Sequence, residues 1–227
     1  MIPLTPSPDI TLSDCHADRR QRARVDTTHQ DWEASPSGTV WRKPLYRVGG
    51  EHGPVTSLVR YVLGGAFPPH PHPEGEEILV LEGIFADEHG DYPSGTYLLN
   101  PDGTRHAPRS ELGCVLLVRL RQYPGADRPR QVVNTLLREW MPGPQPGIEI
   151  QSLYAQEGYP EQMRLERWRP GATRPRHPQG EELFILDGGL RDEDGIAASG
   201  SWLRYPAGDV GPLHSVTGCR LYARIGG

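Results

Sequence analysis

The sequence predicts an all-β protein made of two tandem copies of one small antiparallel domain. Three observations lead there. Gly and Pro are abundant, at 27 and 24 of 227 residues, which favours short strands joined by turns over long helices. Short β-rich runs recur between those turn residues. The second half of the chain also repeats the first.

The repeat is read directly. Arg22-Ala-Arg-Val-Asp-Thr-Thr-His-Gln-Asp-Trp32 aligns without gaps on Arg130-Gln-Val-Val-Asn-Thr-Leu-Leu-Arg-Glu-Trp140. Leu45-Tyr46 matches Leu153-Tyr154, and Arg60-Tyr61 matches Arg167-Trp168. Glu76-Glu-Ile-Leu-Val-Leu-Glu-Gly83 matches Glu181-Glu-Leu-Phe-Ile-Leu-Asp-Gly188. Asp87-Glu88 recurs as Asp192-Glu193, and Gly113-Cys114 as Gly218-Cys219. The seam falls in Tyr123-Pro-Gly-Ala-Asp-Arg-Pro129, which gives domains 1–124 and 125–227. A single doubling is a duplication, not a solenoid of many repeats.

In chain order, Ala17–Arg24 is the one stretch that suggests a helix, and the basic run Asp18-Arg-Arg-Gln-Arg-Ala-Arg24 reads as a solvated segment. Leu58–Leu63, Ile78–Leu81, Thr96–Leu99 and Val115–Leu120 are predicted strands bounded by Gly or Pro. Asp87–Gly95 reads as a turn-rich hairpin connection.

Chemistry concentrates in His70-Pro-His72-Pro-Glu-Gly-Glu76, followed later by Pro101-Asp-Gly-Thr-Arg-His106. Two His one residue apart on a strand share a face, because side chains alternate with period 2. Pro73-Glu-Gly75 then turns the chain into the strand opened by Glu76, and Pro101-Asp-Gly103 is a turn that presents His106. Three imidazoles and a carboxylate suit one Zn, Fe, Mn or Ni ion better than a thiolate-seeking metal. Glu77 should point to the opposite face, towards solvent, and stays the alternate ligand.

These residues resemble the two cupin signatures. Gly65, His70, His72, Glu76 and Gly83 follow G-x5-H-x-H-x3,4-E-x6-G, with one residue fewer before His70. Gly95, Pro101, Gly103 and His106 follow the second signature, whose last Asn is replaced by Ser110. The wording is similar to that of the ChrR-type cupins, a group related to acetylacetone-cleaving dioxygenases. The resemblance implies a tandem double-stranded β-helix, or jelly roll, in each copy (a bicupin). It also implies one divalent transition metal in the first cupin, held by His70, His72, Glu76 and His106.

The second copy has an eroded signature. His72 and Glu76 become His177 and Glu181, the first His becomes Pro175 or Arg176, and His106 becomes Gly211, with His214 three residues beyond. Metal is therefore not expected there, although His177, Glu181 and His214 are the set to watch. Arg176 is expected to pair with Glu181, since a buried carboxylate requires a partner.

Other residues have plainer readings. Cys114 and Cys219 precede apolar strands and read as small core residues; Cys15 beside His16 is a weaker ligand candidate. His52 and His89 read as loop residues. Arg60 and Arg119 read as outward-facing strand residues, with anchoring of an acidic substrate as the alternative. Tyr97 reads as packing.

The net charge of −5 argues against a nucleic-acid partner. No stretch reaches the ~18 apolar residues of a membrane helix, and Met1–Pro8 lacks the basic and apolar regions of an export signal. Three Cys form no disulfide framework, as expected of a cytoplasmic protein. The expected partner is a small-molecule ligand or substrate. The two copies should pack through their edges, with a homodimer of chains left open.

Two functions compete. One is a metal-dependent oxygenase or related lyase acting on a small diketone-like or acidic molecule. The other is a non-catalytic zinc-binding sensor or regulatory module of the ChrR kind. Cys15-His16 does not reproduce the H-x3-C-x2-C zinc spacing of the ChrR anti-sigma element, so sigma-factor inhibition through that element is not expected.

Overall fold

The computed structural model describes residues 13–35, 37–125 and 127–227; the Met1–Pro8 reading lies outside them. Among the described residues the helices are two single turns, Thr27–His29 and Gly50–His52. None is long and apolar enough to cross a membrane.

Two large antiparallel sheets carry the fold, one of ten strands and one of nine. The first is built around Val40–Arg47, Val55–Tyr61, Cys114–Leu120, Glu76–Asp87 and Thr96–Asn100, hydrogen-bonded in that order. The second repeats this order with Ile148–Ala155, Gln162–Trp168, Pro212–Ile225, Glu181–Asp192 and Ser201–Tyr205. A small two-stranded ladder joins His70–Pro71 to Arg105–His106.

Each sheet borrows a strand from across the seam. Ala23–Asp26 pairs with Ser201–Tyr205 of the second sheet, and Gln131–Asn134 pairs with Thr96–Asn100 of the first. The aligned blocks that revealed the repeat are therefore the exchanged strands. No helix forms over Ala17–Arg24: residues 19–20 turn and Ala23 opens the exchanged strand. Long-range strand pairing overrides the local helix propensity of this charged run. Nor is the basic run simply solvated. Arg24 pairs with Asp192 at 2.5 Å, Arg22 with Asp209 at 2.5 Å, and Arg19 with Glu182 at 3.3 Å.

Strand alternation divides the apolar residues into three clusters. Val40, Val59, Ile78, Val80, Leu98 and Leu116 fill the first barrel, and Leu183, Ile185, Leu203, Leu213 and Leu221 fill the second. The opposite faces, including Leu79, Leu117, Phe184 and Tyr222, form the cluster between the copies. Cys114 and Cys219 are buried in the barrel cores, and burial pushes the Cys219 thiol up to about 11. Gly83 closes a tight crossing. With φ +71°, a Cβ there would meet Gly113 O at 2.1 Å, and Gly188 meets Gly218 O in the same way.

Glu77 does point away from Glu76, but into the protein. It is 2% exposed in the contact between the copies, because the second barrel covers that face. Arg119 lies beside it and reaches Glu182 of the second copy at 2.9 Å. Arg60 stacks on Trp32 and Trp41 outside the barrel. Neither arginine lines the first barrel's cavity.

Candidate metal centre

His70, His72, Glu76 and His106 converge. One ligand atom from each lies within 4.8 Å of all the others, and this is the set of that kind found among the described residues. The ladder at His70–Pro71 and Arg105–His106 sets His106 directly opposite His70. The turn through Glu74 and Gly75, both at positive φ, then delivers Glu76 to the first position of its strand. His72 Nε2 is 3.4 Å and His106 Nε2 3.6 Å from Glu76 Oε2.

The hydrogen bonds behind the rings fix their tautomers. His70 Nδ1 donates to Pro68 O at 2.9 Å. Thr104 Oγ1 gives its own proton to Pro101 O, so it accepts from His72 Nδ1 at 3.2 Å. His106 Nδ1 faces Asp87 Oδ2 at 3.4 Å. With Nδ1 of His70 and His72 carrying protons, and Nδ1 of His106 turned to a carboxylate, the Nε2 lone pairs are left for the centre, as in metal-binding imidazoles. Burial pushes the His72 pKa down, which keeps that ring neutral. Burial alone would raise Asp87, but hydrogen bonds from His106, the His89 N–H and Tyr92 outweigh it and hold the carboxyl at about 2.

His72 Nε2 is a buried nitrogen without a hydrogen-bond partner. Such an atom is costly unless something binds it, and a cation at the centre of the four groups would do so. The donor set fits a divalent transition ion.

Sequence reasoning missed four supporting residues. Asn100 Nδ2 donates to Glu76 Oε2 at 3.0 Å and fixes the carboxylate. Arg130, from beyond the seam, donates to Asn100 Oδ1 at 3.2 Å and to Tyr92 Oη at 2.8 Å; Tyr92 in turn donates to Asp87 Oδ1 at 3.0 Å. The exchanged strand of the second copy thus steadies both the Glu76 and the His106 sides of the site. Asp87 and Arg130 recur in the repeat as Asp192 and Arg22, which was the available signal. Ser110, at the missing Asn position, donates to Ile84 O at 2.6 Å. Tyr97 is fully buried in the cluster between the copies, His52 and His89 are exposed, and the Cys15 thiol lies 3.2 Å from His16 Nδ1 apart from the cluster.

The second copy neutralises its carboxylate with arginine, and the arginine is not the expected one. Arg174 grips Glu181 through two bonds, 3.0 and 2.7 Å, and also reaches Glu166 at 3.1 Å. Arg176 instead pairs with Asp209 at 2.5 Å and with Glu193. It packs over Gly211, where a Cβ would meet its Nη1 at 2.7 Å. The loss of His106 in this copy is thus the space that the Arg176 guanidinium takes. His177 is half-buried and His214 exposed.

The first barrel's cluster opens on a cavity of about 430 Å³. The model of the ChrR cupin-like domain matches residues 20–124 and again residues 128–226. The chain belongs to the ChrR cupin-like family. Its two cupins also resemble solved structures at low identity. A candidate dioxygenase from Nostoc punctiforme shares 17% identity over 91% of this chain and 82% of its own, with a TM-score of 0.76. The nickel(II) complex of the bacterial pirin YhhW from Escherichia coli shares 14% over 91% and 99%, with a TM-score of 0.66. A variant of the Bacillus subtilis oxalate decarboxylase shares 13% over 89% and 76%, with a TM-score of 0.62. These likenesses establish the cupin fold. Comparison with curated proteins finds no match.

Proposed function

We propose that the first cupin holds one divalent transition metal (Fe, Mn, Ni or Zn) through His70, His72, Glu76 and His106. The ion would serve an oxygenase or related lyase acting in the cytoplasm on a small diketone-like or acidic molecule. The observation that carries this reading is the cavity of about 430 Å³ beside the ligand cluster. A structural zinc site is closed by protein ligands and has no use for such a space. Four protein ligands leave two positions free on a six-coordinate ion.

When bound, the ion supplies Lewis acidity or redox chemistry. The chain supplies the rest. Asp87 faces His106 Nδ1 and would steady that ring, and Thr104 orients His72. Asn100 holds Glu76 Oε2, the oxygen turned towards the histidines. Phe67 meets His70 edge-on at 5.6 Å and Phe85 lies tilted to His106 at 5.8 Å, giving the site an apolar flank. The nickel-bound pirin, the oxalate decarboxylase and the candidate dioxygenase lend support by what their own sites hold or do.

The competing reading, a zinc-binding regulatory cupin, draws on the ChrR description of the family. Oxygen uptake and substrate loss distinguish the two. Protein loaded in turn with Fe(II), Mn(II), Ni(II) and Zn(II) is offered β-diketones and small carboxylic acids. Metal-dependent loss of at least one compound with an open-shell ion is expected. No turnover with any ion would leave the regulatory reading standing.

A further inference from the structure

The cavity beside the metal cluster is unbalanced in charge. Among the described residues Glu76 is its one lining carboxylate, already turned towards the histidines, whereas Arg47 and Arg121 both line it. Arg47 is the more telling of the two. It is 8% exposed, its Nε donates to Ser13 O at 2.8 Å, and no carboxylate pairs with it among the described residues. It sits opposite Val55, itself a cavity residue, so it faces inward. Its planar fork is shaped for a carboxylate. On the adjoining strand, Ser57 and Tyr61 share the inward face with Val55 and Val59. Both residues are buried, at 3% and 7% exposure, and each brings a polar group to the cavity wall.

The second copy provides an internal control. Arg47 and Arg121 align with Ala155 and Gly226, and Val59 aligns with Glu166. The copy that lost its histidine cluster thus also lacks both arginines, and its interior carboxylates are matched by Arg174. The arginines accompany the metal cluster and not the fold.

We infer that the first barrel takes a small monocarboxylate with an apolar body, its carboxylate gripped by Arg47 with Arg121 alongside. The body lies against Val59, Ile78 and Leu116, with Ser57 and Tyr61 beside it. This deepens the proposed function by choosing an acid over a diketone, and it rests on that function only for what the metal does to the bound acid.

Calorimetric titration of the full chain tests the inference, with metal content measured on the same samples. The probes are acetate, butyrate and hexanoate, with hexanamide as the uncharged counterpart. Hexanoate is expected to bind at least tenfold more tightly than hexanamide, since a charge-assisted bond is at stake. Affinity should rise about fourfold per methylene from acetate to hexanoate. Arg47→Gln should remove the preference for hexanoate over hexanamide. Should Arg47→Gln fail to fold, the comparison of hexanoate with hexanamide on the unaltered protein still decides. Equal affinity for the two overturns the inference, as does an undiminished preference in folded Arg47→Gln. If the protein binds the acids but no metal, the proposed function falls and the anion site stands; if it binds metal but not the acids, the reverse holds.

Discussion

Replacing Arg119 with methionine is expected to lower the unfolding free energy by about 3–5 kcal/mol, the cost of stranding buried partners of a lost charge. Arg119 is 1% exposed. Its guanidinium donates to Glu182 at 2.9 Å and to Tyr222 Oη at 2.9 Å, and lies 3.4 Å from Glu77. Tyr222 also donates to Glu77, at 2.5 Å, and Tyr123 donates to the other oxygen of the same carboxylate. One arginine therefore neutralises a carboxylate from each copy at the centre of their contact. Burial would raise the pKa of Glu182, but Arg119, Arg224 and Arg19 outweigh it and hold it at about 2, below the ordinary carboxylate value of 4.5. A folded-state pKa below the unfolded one means stability that is present above about 4.5 and lost as pH falls towards 2. By linkage the loss is about 3 kcal/mol. Urea unfolding at neutral pH and at pH near 3.5 measures both effects. Arg119→Met should be less stable than the parent at neutral pH and should lose less on acidification. Arg119→Met combined with Glu182→Leu should recover part of the loss. A change below about 1 kcal/mol in the single variant would contradict this view of the interface.

Arg174→Met is the second large effect, again about 3–5 kcal/mol. Glu166 and Glu181, with side chains 0% exposed, both depend on this guanidinium. Burial opposes the charge on Glu166, yet Arg174 and Arg164 together hold its pKa below the ordinary value. Without Arg174, Glu181 keeps only the His177 backbone N–H at 3.1 Å. Arg176→Met should cost less, because Glu193 has 46% of its side chain exposed and Asp209 keeps its pairing with Arg22. Thermal or urea unfolding of the two variants side by side gives the ordering. An Arg176→Met variant less stable than Arg174→Met would restore the pairing that the sequence had suggested.

Much of this was legible in the chain. The duplication, the β class and the convergence of His70, His72, Glu76 and His106 follow from local spacing, because strand alternation and turn chemistry act over a few residues. What escaped depends on what lies across the fold. Alternation puts Glu77 opposite Glu76, but only the packing of the second barrel shows that this face is covered. Ala23–Asp26 meets Ser201–Tyr205 far along the chain, and nothing local announces that pairing. Arg174 lies outside the signature positions, aligned with Pro69, so a search for the substitute of a lost histidine settles on its neighbour. Arg130 shows the same limit: its recurrence was visible, but not its reach to Asn100 and Tyr92.

The central claim is one metal per chain, held by the first copy alone, and metal content by plasma emission spectrometry tests it most directly. Protein purified without chelator should carry about one equivalent of a transition metal. His72→Ala should lose it, and His177→Ala, at the matching place in the second copy, should keep it. Two equivalents in the parent, or a full equivalent in folded His72→Ala, would contradict the account.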